Sequence, residues 1–449
     1  MTQAVEHQGI ESYISRFEEI ERRSATGPGA WLLPIRKAAM ARFCDRGFPT
    51  TKQEEWRFTN VAPIARAEFA IAPRGNAGVS PADLSPFLFG PRGGHRIVFV
   101  NGHFDPALSM LDALPRGVSL VNLGKALADE TPPLQAHLTR HADYRSEAFP
   151  DLNTALMSDG AFLHVAKGAV IETPIQLVFV SAALEKSLVT HPRVLIVAED
   201  SSQVTIVESY VGRSREPYFT NAVTELVAGE NAVIDHYKVG RESDGSFHVG
   251  LTHIHQHANS NVSSFAVTMG GGLTRNDITT VLDGEGCNCA LNGFYMSGSG
   301  QHVDNHLIVD HAKPHCDSRE FFKGVLDGRG RGVFSGKIIV REGAQKTDAK
   351  QSNMSLLLSE DAQVDSKPQL EIFADDVKCT HGVTVGQVSD DAVFYLRSRG
   401  LDEKSARGLL VYGFAHESIA CIRPDPLRKQ LTELLFERLP HGRLFKEAG

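Results

Sequence analysis

Residues 374–387 read ADDVKCTHGVTVGQ, which sets a thiol, Cys379, and an imidazole, His381, two positions apart, after the carboxylates of Asp375 and Asp376 and before Gly382. Alternate residues of an extended chain share a face, so the two side chains would project together with β-carbons about 6–7 Å apart. At that separation both can bind one metal ion or cluster, or the imidazole can lower the pKa of the thiol. Two protein ligands seldom complete a stable iron or iron–sulfur site, so this pair needs further ligands from elsewhere.

Other stretches offer similar chemistry less sharply. THIHQH places His253, His255 and His257 at period two, so on a strand three imidazoles would share a face, as a metal site of a cupin-like metal-dependent enzyme would require. The plainer reading is the exposed polar face of a strand. QHVDNHLIVDHAKPHCDS carries His302, Asp304, His306, Asp310, His311, His315 and Cys316; on a strand the first three share a face and could hold iron or zinc, or simply hydrogen-bond one another. Cys287 and Cys289 also share a face, but no second pair stands at zinc-ribbon or ferredoxin spacing. GRGRGVFSGKII is not a phosphate loop: Arg331 stands where the first glycine is needed, and Lys337 leads into the strand-like IIV instead of a helix. MGGGLTRND lacks the strand-to-helix setting as well, so no nucleotide site is expected.

The bulk composition narrows the classes. A chain of 449 residues is long enough for more than one core, and 40 glycines with 21 prolines tilt it towards a strand-rich, turn-rich body. A formal charge of −8 provides no basic field for nucleic acid or anionic lipid. The first residues lack the apolar core of a signal peptide, and no run approaches about 18 apolar residues, so a cytoplasmic chain is expected. Six scattered cysteines read as reduced thiols, mostly buried.

The elements that must carry these residues fall into four regions. Residues 1–75 read as helical, with Ile10, Tyr13, Ile14 and Phe17 in one stripe and a second helix stopping at Gly47 and Pro49. Residues 76–150 are mixed, with one strand-like run, HRIVFVNG, ending in an Asn101-Gly102 turn. Residues 151–388 turn to short Val- and Ile-rich runs with similar acidic turns near 200, 230, 285, 343 and 361. That spacing is too uneven for a strict repeat yet fits coils of a stacked solenoid; a parallel β-helix is the first expectation, and a jelly roll or cupin-like double sheet the alternative. Residues 389–449 return to helix: one segment capped by Ser389, one with a stripe of Ala406, Leu409, Leu410, Gly413 and Phe414, and one with Leu427, Leu431, Leu434 and Leu435. These stripes serve either a small core or a docking face for another protein.

The segments DNHLIVDHAKPHCDSREFFKGVLDGRGRGVFSGKIIVREGAQKTDAKQSN, QLEIFADDVKCTHGVTVGQ and FYLRSRGLDEKSARGLLVYGF together resemble the SufB/SufD family of iron–sulfur cluster assembly proteins over roughly residues 150–420. PTTKQEEWRFTN and VFVNG resemble the amino-terminal part of its SufD branch. The resemblance implies a mainly β fold with a right-handed parallel β-helix core between helical N-terminal and C-terminal domains. It implies a non-catalytic scaffold subunit of an ATPase-driven assembly complex, paired with a SufB-like subunit through the β-helix and with a SufC-like ABC ATPase through the C-terminal helices. The family's C-x-H-G segment carries over to Cys379 and His381, whose histidine is placed at the subunit interface to help hold iron or a nascent cluster with a cysteine from SufB. The expected cargo is thus a transient iron–sulfur cluster or iron at a shared interface; a reduced flavin in the complex is compatible with the resemblance, and no nucleotide is expected on this chain. No C-x₂-C-rich motif of the kind SufB chains often carry is present near the amino terminus, which favours the SufD side and argues against a stable cluster held by this chain alone. The segment 302–316 matches a family motif to which the resemblance attaches no ligand role. A homodimer through an unpaired β-helix edge is a further expectation.

Overall fold

The Val- and Ile-rich runs form strands that alternate between two sheets, so that every second run stacks on the one before it. In the computed structural model, which describes residues 2–24, 29–71, 75, 77–90, 94–111, 114–141, 147–182, 186–214 and 216–439, the chain from Gly160 to Gln387 winds into a parallel β-solenoid. One sheet has eleven strands and the other ten, and neighbours within the solenoid pair in parallel. Leu273 lies beside His302, His302 beside Arg331 and Arg331 beside Gln363, which makes a coil about thirty residues long. The acidic turns near 200, 230, 285 and 343 all lie at one corner, between an eleven-stranded-sheet strand and the next ten-stranded-sheet strand, whereas the turn near 361 lies at the opposite corner. Their uneven spacing is therefore one coil, two coils, two coils and roughly half a coil. The parallel ladder excludes the antiparallel jelly-roll or cupin alternative.

Inside, the two sheets face each other across a lumen filled by Leu163, Ile196, Ile206, Leu226, Ile234, Leu291, Leu307, Phe322, Phe334 and Ile338, all buried. Glycines make room where a large polar side chain turns inward. A Cβ at Gly336 would stand 2.2 Å from Gln351 Nε2, and one at Gly332 would stand 2.6 Å from the Tyr295 hydroxyl. The glycines of GRGRGVFSGKII thus serve lumen packing, and Lys337 points outward to Glu371, 3.0 Å away.

The outer faces are covered by the terminal regions. On the eleven-stranded sheet, the helices Thr2–Ser24, Leu33–Arg46 and Ala148–Leu156 bury Tyr13, Phe17, Phe43 and Leu152 against Phe219, Val249 and Leu273. On the ten-stranded sheet, Glu403–Ile419 and Asp425–Arg438 bury Val411, Ala415, Ile419, Leu427, Leu431 and Leu435 against Tyr237, Phe265, Val267, Phe294 and Val325. The buried stripe of the longer helix runs through Ala406, Gly408, Val411 and Ala415, while Gly413 is exposed. Of the stripe expected from the sequence, Leu409 and Leu410 are only half-buried and Gly413 is exposed, because the helix is rotated to put Val411, Ala415 and Ile419 on the sheet, where Ser418 Oγ donates to Gly293 O at 3.3 Å. No described helix is long and apolar enough to cross a membrane.

One buried cation joins the amino-terminal region to the solenoid. The Arg275 guanidinium stacks 3.7 Å over the Trp56 ring, donates to the Glu55 carbonyl at 2.7 Å and to Asp304 at 2.9 Å, and is also bonded to Asp277. Thr59 donates to the same Asp304 oxygen at 2.6 Å, and His306 pairs with Glu55 at 2.9 Å. Arg275→Met would strand the buried Asp304 carboxylate and should cost about 3–5 kcal/mol. Urea unfolding checks this; a loss below about 1 kcal/mol would mean that the clamp is not a determinant of stability.

Candidate functional site

Lys378–Gln387 is the last strand of the ten-stranded sheet, paired to Asp348–Leu357 on one side only. Gln363–Ile372 likewise ends the other sheet. Since each coil is normally covered by the next, the final one keeps its outward edge and much of its lumenal face in the open. Ile372, Phe373, Val383 and Val385 are 41%, 64%, 39% and 47% exposed, an apolar patch on an unpaired edge.

Cys379 and His381 both lie on this strand, with side chains towards the lumen. Cys379 is the terminal rung of a column that runs through Val262, Cys289, Ser318 and Ala349, and it packs half-buried against the main core. Burial raises its thiol pKa, and the Asp348 carboxylate adds to the rise. The imidazole two residues on therefore does not generate a thiolate within the lone chain; a bound metal would have to. His381 is exposed and ends the adjacent column of Leu291, Glu320 and Gln351. Asp375 and Asp376 do not join the pair: Asp376 is held in the turn by Lys346 and Gln345.

Behind His381, Gln351 Nε2 donates to Glu320 at 2.6 Å. Both residues are almost fully buried, and Glu320 Oε1 and Gln351 Oε1 have no hydrogen-bonding partner among the described residues. Burial pushes the Glu320 carboxyl up to about 8, against the opposing pull of the Gln351 bond. This acid therefore stays protonated at neutral pH beneath the exposed imidazole.

The remaining candidates disperse. His302, Asp304 and His306 do share an outer face, and Asp304 and His306 meet the segment Glu55–Thr59; His302 accepts or donates to the Thr59 hydroxyl at 2.9 Å. Two of the motifs in the sequence are thus each other's binding partners. Asp310 pairs with Arg341, His311 faces the lumen beside Ser318 and Thr347, and His315 sits in an exposed turn. Cys287 and Cys316 occupy successive corners of neighbouring coils beside Ser260, and Cys289 lies in the lumen near Thr280. His253 is buried, His255 half-buried and His257 exposed; the first two meet His141, a residue that no sequence spacing connects to them. Glu320 and Gln351 were equally silent in the sequence, although each precedes its column neighbour by one coil length.

The lumenal acid gives a pH signature. Glu320 has a folded-state pKa raised from about 4.5 to about 8, so its stabilisation is full below the unfolded pKa and is lost as pH rises through the folded one. Glu320→Gln removes this titration. The variant should therefore gain on the wild type between about pH 5 and pH 8, by at most about 1.4 kcal/mol per pH unit, as read by urea unfolding; parallel stability curves would exclude a buried neutral acid here.

Residues 179–414 match the family described as SUF system FeS cluster assembly, SufBD core domain, and residues 7–177 match the SufBD protein N-terminal region. The chain is 33% identical over 441 residues to an iron–sulfur cluster assembly SufBD family protein of Synechocystis sp., covering 96% of both chains. It is 30% identical over 398 residues to the iron–sulfur cluster assembly protein SufD of Escherichia coli, covering 88% of this chain and 90% of the relative. It is 28% identical over 442 residues to that of Bacillus subtilis, covering 95% and 97%. With both family regions present in order and relatives aligned along nearly its whole length, the chain belongs to the SufB/SufD family of the SUF iron–sulfur cluster assembly system and is SufD-like.

Proposed function

We propose that the chain is the SufD-like subunit of a SUF scaffold complex, pairing through its open terminal coil with a SufB-like subunit and lending Cys379 and His381 to iron or a nascent cluster at the junction. The observation that carries this reading is the position of the pair: both donors lie on a lumenal face that no following coil covers. A soft sulfur and an imidazole nitrogen suit iron–sulfur chemistry, and two of them leave coordination positions for a partner to fill. The cargo would draw the proton from the Cys379 thiol on binding, while the strand edge and the apolar patch of Phe373, Val383 and Val385 are buried by the partner.

The carboxy-terminal helices support a second contact. On Asp390–Ser398, Phe394 and Tyr395 are 73% and 58% exposed while Val393 is buried, an aromatic pair suited to docking a SufC-like ABC ATPase. The ATPase would bring nucleotide hydrolysis to the complex, and this chain none. A homodimer remains a competing use of the same edge, distinguished by the mass of the purified chain alone and with its partner.

Coexpressed with SufB-like and SufC-like partners and reconstituted anaerobically, the His381→Ala complex should still assemble and yield at least about tenfold less cluster. Unchanged cluster yield in an intact complex would contradict the proposal. Phe394→Ala combined with Tyr395→Ala should release the ATPase from a pull-down and retain the SufB-like subunit; retention of both partners would remove the helix as the docking element.

A further inference from the structure

A second group of donors lies on the outer face of the eleven-stranded sheet, away from the terminal coil. His253 and His255 project outward from the strand Phe247–Gln256, since Ile254 between them fills the lumen. Across from them, the chain that follows the helix Pro132–His137 turns back and presents His141. His141, His253 and His255 each offer a ring nitrogen, and these atoms all lie within 4.8 Å of one another. The rings of His141 and His255 have centroids 5.0 Å apart, and those of His141 and His253 6.0 Å.

We infer that His141, His253 and His255 form a binding site for one divalent transition-metal ion of the borderline class that zinc represents, tying the 137–141 turn to the solenoid. Three imidazoles with the fourth position left to water is an established donor set for such an ion. A tetrahedral ion with bonds of about 2.0–2.1 Å needs its ligand atoms about 3.4 Å apart. Nitrogens within 4.8 Å of one another must close towards that spacing when an ion binds, and His137 Nδ1, 3.3 Å from His141 Nε2, is within hydrogen-bond reach of one of the three rings.

The turn that carries His141 is built rather than left to settle. Its Thr139 and His141 backbone N–H groups both donate to the buried Glu225 carboxylate, each at 2.9 Å. Glu225 is fixed in turn by Arg193, which is fully buried and also donates to Asn153 and Thr154. Thr139 holds a φ of 65°, which a β-branched residue adopts only when its surroundings impose it. The Asp283 carboxylate stands 3.6 Å from His255 Nε2. Burial lowers the pKa of all three histidines, so each is available as the neutral imidazole that a metal requires. The three rings thus converge from two separately anchored segments.

The test uses the full-length chain without an affinity tag, stripped with chelator and titrated with Zn²⁺ against a chromophoric competitor, with Co²⁺ as a spectroscopic substitute. Wild type should bind one ion per chain, show a tetrahedral visible band with Co²⁺, and melt at a higher temperature with Zn²⁺ present. His141→Gln and His255→Gln should each weaken binding at least about tenfold, and the double variant Cys379→Ser with His381→Ala should leave it unchanged. If His141→Gln does not fold by circular dichroism, His255→Gln, at a half-buried position, decides alone. Absence of stoichiometric binding by wild type, or undiminished binding by a folded His255→Gln, would overturn the site; loss of binding only in the Cys379 and His381 variant would assign the ion to the terminal coil instead.

Discussion

A parallel ladder satisfies each coil's backbone groups only through the coils on either side of it. The strand Asp348–Leu357 has a neighbour on both edges, whereas Lys378–Gln387 has one. A solenoid cannot remove this asymmetry by adding coils; it can only move the open end along the chain. Helices lie over the two outer faces, while the end of the stack bears exposed valines, a phenylalanine and the Cys379–His381 pair. A site on a terminal rung is incomplete by construction, and it is completed by whatever covers that rung.

The lumen behind this rung is not uniformly apolar. Glu208 accepts from Tyr210, Thr224 and His236 deep in the stack, a satisfied network that fixes inward polar groups at defined positions. Nearer the open end, Glu320 and Gln351 are bonded to each other and keep acceptor atoms without partners among the described residues.

Much of the fold was legible because the solenoid repeats its chemistry. Val- and Ile-rich runs and acidic turns marked the coils, and their spacing looked irregular only because some turns were invisible and one belonged to the opposite corner. The period-two rule placed Cys379 with His381, and His302 with Asp304 and His306, correctly on shared faces. It could not say which face was covered or by what: that Asp304 meets Thr59 depends on how an amino-terminal helical layer docks, and no local spacing encodes a contact across more than two hundred residues. His141 escaped notice for the same reason. The periodicity of the helix Glu403–Ile419 puts Ala406 on its buried face, but it does not fix the rotation that buries Gly408, Val411 and Ala415 and leaves Gly413 exposed.

The central claim is that the final coil is an unfinished surface which a second subunit covers. Hydrogen–deuterium exchange of the Lys378–Gln387 amides tests it most directly, in the chain alone and in complex with a SufB-like partner. Fast exchange along the outward edge in the lone chain, converted to strong protection in the complex, is the predicted result. Identical exchange in both, with protection appearing elsewhere on the solenoid, would contradict the account.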